Sequence, residues 1–312
     1  MNPAWSVIFL TTLIGAGQGL FMALFGVDIA VRLGALVVVP AQYFVTGSAV
    51  SFALLIGGLA ASFLHLGHPE RAWRAMAMWR TSWLSREVIV LPAFMAAVAA
   101  YGYAQATNLS CAVWIGAAGV LLCLALFLCT AMIYICLKFL QEWHTPLTFV
   151  NFLLLGTASG VLLAAVLATA VSSALAVALA VIAGFATALA ALTRGLSLLR
   201  NAQLRPKSTL QSAVGIAHPK IAQKAQGAMG GSFNTREFFH GRTVAVVCAV
   251  KWIFLLGVFA VPLVLIGVTL AGGALQWLAI AFGVQYAGLL AERWFFFAQA
   301  RHPQNLYYQA IS

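Results

Sequence analysis

The chain has 312 residues, of which 63% are hydrophobic and only 7% charged, with a mean hydropathy of +0.99. A soluble domain carries about 25% charged residues, so this composition excludes a soluble enzyme and predicts a polytopic membrane protein. The net charge of +11 then reads as Lys and Arg gathered in cytoplasmic loops, with no nucleic-acid partner implied.

Backbone polar groups inside hydrocarbon must be paired within a helix or a closed barrel. The apolar runs are about 20 residues long rather than alternating strands of about ten, which predicts helices. The start, Met1-Asn2-Pro3-Ala4-Trp5, has no basic run, so the first apolar segment is expected to stay as a membrane helix rather than be cleaved. Spans are expected near 5–27, 42–64, 87–107, 112–137, 148–170, 174–193, 243–271 and 274–293. Val171-Ser172-Ser173 makes a tight hairpin between the fifth and the sixth. The expected fold is an all-α integral membrane protein, a bundle of eight transmembrane helices with both termini on the same face. It forms a single polytopic anchor domain over 1–312, with a basic loop at about 194–242 and an interfacial tail at about 294–312.

Within the first span, Gly15 and Gly19 are four apart, as are Gly156 and Gly160 in the fifth. That spacing lets helix backbones approach where lipid supplies no hydrophobic drive. Gln18 is expected to hydrogen-bond between helices, and Asp28 and Arg32, at i,i+4, to form an ion pair.

Eight spans put the termini and the loops near 65–86, 138–147 and 194–242 on one face, which receives 15 of the 17 basic residues. The opposite face has Arg32 alone, and Lys251 lies inside the seventh span. Positive-inside asymmetry of this size predicts cytoplasmic termini and an inner-membrane protein. Lys251 either snorkels to the interface or pairs with a carboxylate, Glu87 or Glu292. In the tail, the run from Arg293 to Phe297 reads as an aromatic belt at the interface. The last ten residues and the polar stretch Gly230–Gly241 are candidates for gripping a partner.

The five cysteines show no CxxC spacing, so neither a disulfide framework nor an attached haem is indicated. The histidines, His65, His68, His144, His218, His240 and His302, all sit toward the basic face. Two-haem cytochromes need facing histidine pairs within the bilayer, and that pattern is absent. A single haem near the basic face, with one His and a Met, His or Lys ligand, stays open. No H-E-x-x-H, phosphate loop or G-x-S-x-G occurs, so a self-contained hydrolase or nucleotide enzyme is not indicated. Broken spans and midplane charges, the marks of a transporter, are not evident either.

Charge concentrates instead between His65 and Glu87, where 23 residues hold two histidines, two carboxylates, four arginines and Trp73, Trp79 and Trp83. A quinone site needs a donor to a carbonyl, an apolar cleft and a proton relay. Imidazole at His65 can supply the first and titrates near neutral pH. Glu87 begins the third span behind Ser85, a candidate N-cap, and consecutive spans bring it beside His65. Arg71 and Arg86 balance Glu70 and Glu87 or face lipid headgroups.

Leu64-His65-Leu66-Gly67-x-Pro69-x-Arg71-Ala72, followed by Ser82-Trp83-Leu84-Ser85-Arg86-Glu87, resembles the membrane-anchor subunit family of dimethyl sulfoxide reductase. The eight-span plan and the Arg293-Trp294-Phe295 end of the last helix extend that resemblance over the chain. The resemblance implies a subunit that binds a membrane quinone, ubiquinone or menaquinone. It also implies an iron–sulfur partner subunit joined to a molybdopterin catalytic subunit, and no metal centre in the anchor itself. The quinone-site histidine falls on His65 and its acidic partner on Glu87, with Arg71 and Trp83 matched more loosely. The basic motif face, the Gly230–Gly241 stretch and the Arg301–Gln309 tail are most similar to the branch serving cytoplasmic-facing sulfite dehydrogenases. Electrons would then pass from sulfite oxidation into quinone. The alternatives are a quinol-oxidising anchor of a dimethyl sulfoxide-type reductase and a structural anchor without a quinone site.

Overall fold

The computed structural model describes residues 1–64, 66–222, 224, 238–303 and 305–308, with 307 and 308 described by backbone alone. His65, residues 230–237 of the Gly-rich stretch and residues 309–312 of the tail lie outside the described residues. The described chain is helical, with no strand among those residues.

Six long helices come first: α1 (Trp5–Arg32), α2 (Ala41–Phe63), α3 (Trp83–Ala106), α4 (Ala112–Ile135), α5 (Pro146–Ala168) and α6 (Ser173–Ala202). A short α7 (Leu210–Val214) precedes α8 (Val244–Leu270), which contains a π turn at Leu256–Ala260. Then come α9 (Gln276–Ala298) and the single turn α10 (Asn305–Tyr308). A 3₁₀ helix, Pro69–Met78, links α2 to α3.

Among the described residues, seven helices, α1 to α6 and α8, are long and apolar enough to cross a membrane by length and composition. The eighth expected span falls on α9, which has 23 residues but carries Gln285, Glu292 and Arg293, all buried. These polar groups lower its hydropathy while turning inward, away from any lipid face. The sixth helix runs on past 193 to Ala202, so Arg194 and Arg200 lie on helix and not in the loop expected to begin there. Helix α3 is capped by Ser82, whose hydroxyl accepts from the Ser85 amide at 3.3 Å, so the expected cap at Ser85 is displaced by one turn.

Helices α1 and α5 have the largest buried shares, 61% and 67%, against 33–44% for the other spans. They cross at the glycines. A Cβ placed on Gly19 would collide with the Gly156 carbonyl, and one on Gly160 with the backbone of Gly19. Without side chains in the way, the two backbones touch, and dispersion between them replaces the hydrophobic drive that lipid does not provide. A similar approach joins α8 to α9, where a Cβ on Gly288 would stand 2.6 Å from the Gly257 carbonyl carbon.

The expected polar links are present. Gln18 Nε2 donates to the Cys123 carbonyl at 2.9 Å, tying α1 to α4. Arg32 Nε lies 2.9 Å from Asp28 Oδ1, while Tyr101 and Gln105 donate to Asp28 Oδ2 at 3.1 and 2.9 Å. The buried carboxylate therefore has partners from two helices, which satisfies it as burial demands. The α5–α6 turn is tight, and Ser172 caps α6 by accepting from the Leu175 amide.

Candidate functional site

Glu87 stands in the second turn of α3, 7% exposed. Its side chain points across to α4, where the Thr130 hydroxyl donates to Oε1. A narrow cavity adjoins it, walled by Thr11, Gln18, Thr130, Phe152, Ser159 and Arg293 among others. Only its centre is wide enough for a water molecule, so it does not accommodate a quinone ring. What the geometry at Glu87 can do is hold and pass a proton.

Arg293, from α9, closes one wall of that cavity. Its guanidinium carbon lies 3.8 Å from the Phe152 ring centroid and its Nε 3.5 Å from Glu292 Oε2. On the other side Arg194, from α6, brings Nε to 2.8 Å from Glu292 Oε1. These charges touch, while Arg194 Nη2 has no hydrogen-bond partner among the described residues. The three side chains are 1–5% exposed. Glu292 thus sits between two buried guanidinium groups, and its charge offsets part of theirs in the apolar interior.

Glu292 is therefore taken by arginines, and Lys251 forms no ion pair among the described residues, so the expected pairing of Lys251 with a carboxylate is not found. Helix α9 also departs from the expected interfacial belt. Phe295, Phe296 and Phe297 are buried, and Trp143 stacks on Phe296 at 5.3 Å while its Nε1 donates to the Phe296 carbonyl at 3.0 Å. Tyr134 packs against Trp143, Phe152, Phe296 and Phe297. The aromatic run is internal packing because α9 turns it toward α4 and α5.

The remaining expected site residues stand apart from Glu87. Arg71 is exposed on the 3₁₀ helix, 3.8 Å from Glu70. Trp83 is half-buried at the start of α3, under the Arg86 guanidinium at 4.1 Å. Arg86 does not balance Glu87. It donates to the carbonyls of Trp79 and Arg80 at 2.9 and 2.8 Å and so clamps the linker onto α3. That linker exposes Trp73, Met78 and Trp79 alongside its arginines, an amphipathic surface of the kind that seats a partner or lipid headgroups.

Arg194, Thr130 and Asn151 were not singled out as chemistry by sequence reasoning, and Glu292 and Arg293 only in passing. An ionisable residue inside an apolar run was the available signal.

The sequence profile of the DMSO reductase anchor subunit (DmsC) family matches residues 1–297. A sulfite dehydrogenase subunit of Allochromatium vinosum is 51% identical over an alignment of 325 positions that spans the whole of both chains. Helices apolar enough to cross a membrane, the His65–Glu87 motif and a family match along nearly the full length agree: the chain belongs to the dimethyl sulfoxide reductase membrane-anchor subunit family.

Proposed function

We propose that this anchor passes electrons from an iron–sulfur partner subunit into the membrane quinone pool, in a complex whose molybdopterin subunit oxidises sulfite in the cytoplasm. The observation that carries the quinone step is Glu87, a buried carboxyl held by Thr130 beside a water-sized cavity, near the start of the helix that follows the His65 loop. Reducing a quinone takes two electrons and two protons, and a carboxyl so placed delivers protons without occupying the ring's space. His65 supplies the hydrogen bond to a quinone carbonyl. The sulfite assignment draws on the full-length likeness to a protein named as a sulfite dehydrogenase subunit.

In this reading α9 is an eighth span, and both termini and the motif loop lie on the cytoplasmic side of the inner membrane. The charge asymmetry supports that orientation, and the Met1 ammonium, which donates to the Ala300 carbonyl at 2.8 Å, supports a common face for the start of the chain and the end of α9. The exposed linker and the basic loops then meet the iron–sulfur subunit.

Two measurements test this. In the purified complex, His65→Ala should cut quinone-linked turnover about 100-fold while leaving turnover with ferricyanide, which takes electrons without protons, unchanged. Undiminished quinone turnover would remove His65 from the site. A reporter fused after Ser312 should be active in its cytoplasmic form only. Periplasmic activity would reverse the orientation and exclude cytoplasmic sulfite oxidation.

A further inference from the structure

Beside the Glu87 cavity lies a second, smaller one between α5, α6 and α9, with room for about one water molecule. The two share Phe152 and Arg293 as a common wall. At its far end the second cavity reaches Glu142 and Asn201, both half-buried at the helix ends near the basic loops.

Its polar lining is under-satisfied. Asn151 Nδ2 donates to Ser197 Oγ at 2.7 Å, but Asn151 Oδ1, Arg194 Nη2, Glu292 Oε2 and Gln299 Nε2 have no hydrogen-bond partner among the described residues. Buried polar atoms left unpaired are costly, and several of them around one small space are the usual setting of an ordered water.

We infer that this second cavity is a hydrated branch that carries protons from the Glu142 rim to Glu87, with Glu292, held between Arg194 and Arg293, as its relaying carboxyl. The inference rests on the proposed quinone reaction. Each quinone takes two electrons from the iron–sulfur partner, forms two O–H bonds and draws two protons from the water on the basic face. A proton that Glu87 gives up is replaced through the branch. Arg194 and Arg293 set the charge felt by Glu292, and Glu142 and Glu87 are the other titratable groups along the route.

The test uses the whole complex. Radiolytic hydroxyl labelling should oxidise Phe152 and Phe296, which line the cavity, while Phe44, equally buried and lining neither cavity, stays unmodified. In parallel, Glu292→Gln should slow quinone turnover at least tenfold and raise its solvent deuterium isotope effect, with ferricyanide turnover retained. Removing one charge of the triad can also impair folding, so Asn151→Leu, which plugs the branch without changing charge, is measured beside it and should show the same pattern. Unlabelled Phe152 and Phe296 would overturn the hydrated branch. Undiminished quinone turnover in both variants would overturn its delivery role alone. A wild-type complex active with ferricyanide but not with quinone would overturn the quinone reading and the delivery role together.

Discussion

Replacing Gly19 with leucine is expected to keep α1 and α5 from packing and to destabilise the protein by about 3 kcal/mol or more, the upper end of overpacking costs. The cost is high because the atoms in the way are the Gly156 carbonyl and the Thr157 backbone, which cannot rotate aside as a side chain would. These two helices form the most buried pair of the bundle, so their separation also disturbs α4 and α9, which pack against both. The measurement is the thermal midpoint of the detergent-solubilised complex and the fraction recovered with its partner subunits. Gly26→Leu is the control, since a Cβ there meets nothing within 4 Å on the same helix. Equal midpoints for the two variants would refute the close crossing.

Glu87→Gln is expected to lower quinone turnover about 100-fold, the lower end of general acid–base contributions. Glutamine has the same shape and still accepts from Thr130, so packing is preserved while the exchangeable proton is lost. Ferricyanide turnover should stay at the wild-type rate, and Glu87→Asp should recover part of the quinone rate. Because Glu87 and Glu292 act in series in the proposed route, a double Gln variant should be hardly slower than Glu87→Gln alone, the non-additivity expected of residues that act as a unit. Unchanged quinone turnover in Glu87→Gln would show the carboxyl to be structural. Multiplying losses in the double variant would place Glu292 on a separate path.

Much of this molecule is legible in one dimension. Apolar runs near 20 residues mark the spans because every backbone group in hydrocarbon must pair locally. Gly15, Gly19, Gly156 and Gly160 mark the close crossing because their spacing puts small residues on one helix face. Asp28 and Arg32 declare their pairing by i,i+4 spacing, and the crowd of charges before Glu87 marks the stretch where the sequence concentrates its ionisable residues. Fifteen of the 17 basic residues on one expected face carry the orientation argument without coordinates.

What tertiary structure decided is which side of each helix faces inward. Lipid and protein interior are both apolar, so a membrane helix carries little amphipathic signal and its buried face is set by neighbours. Nothing local says that Arg194, eight residues before the end of α6, meets Glu292 rather than headgroups, or that Arg293 covers Phe152. The same ambiguity made the Phe295–Phe297 run read as an interfacial belt and left Lys251 between snorkelling to the interface and pairing with a buried acid. Only the packing of α9 between α1, α5 and α8 turned its polar residues into the bundle, where Arg293 lines the cavity next to Glu87 and Glu292 the one beside it.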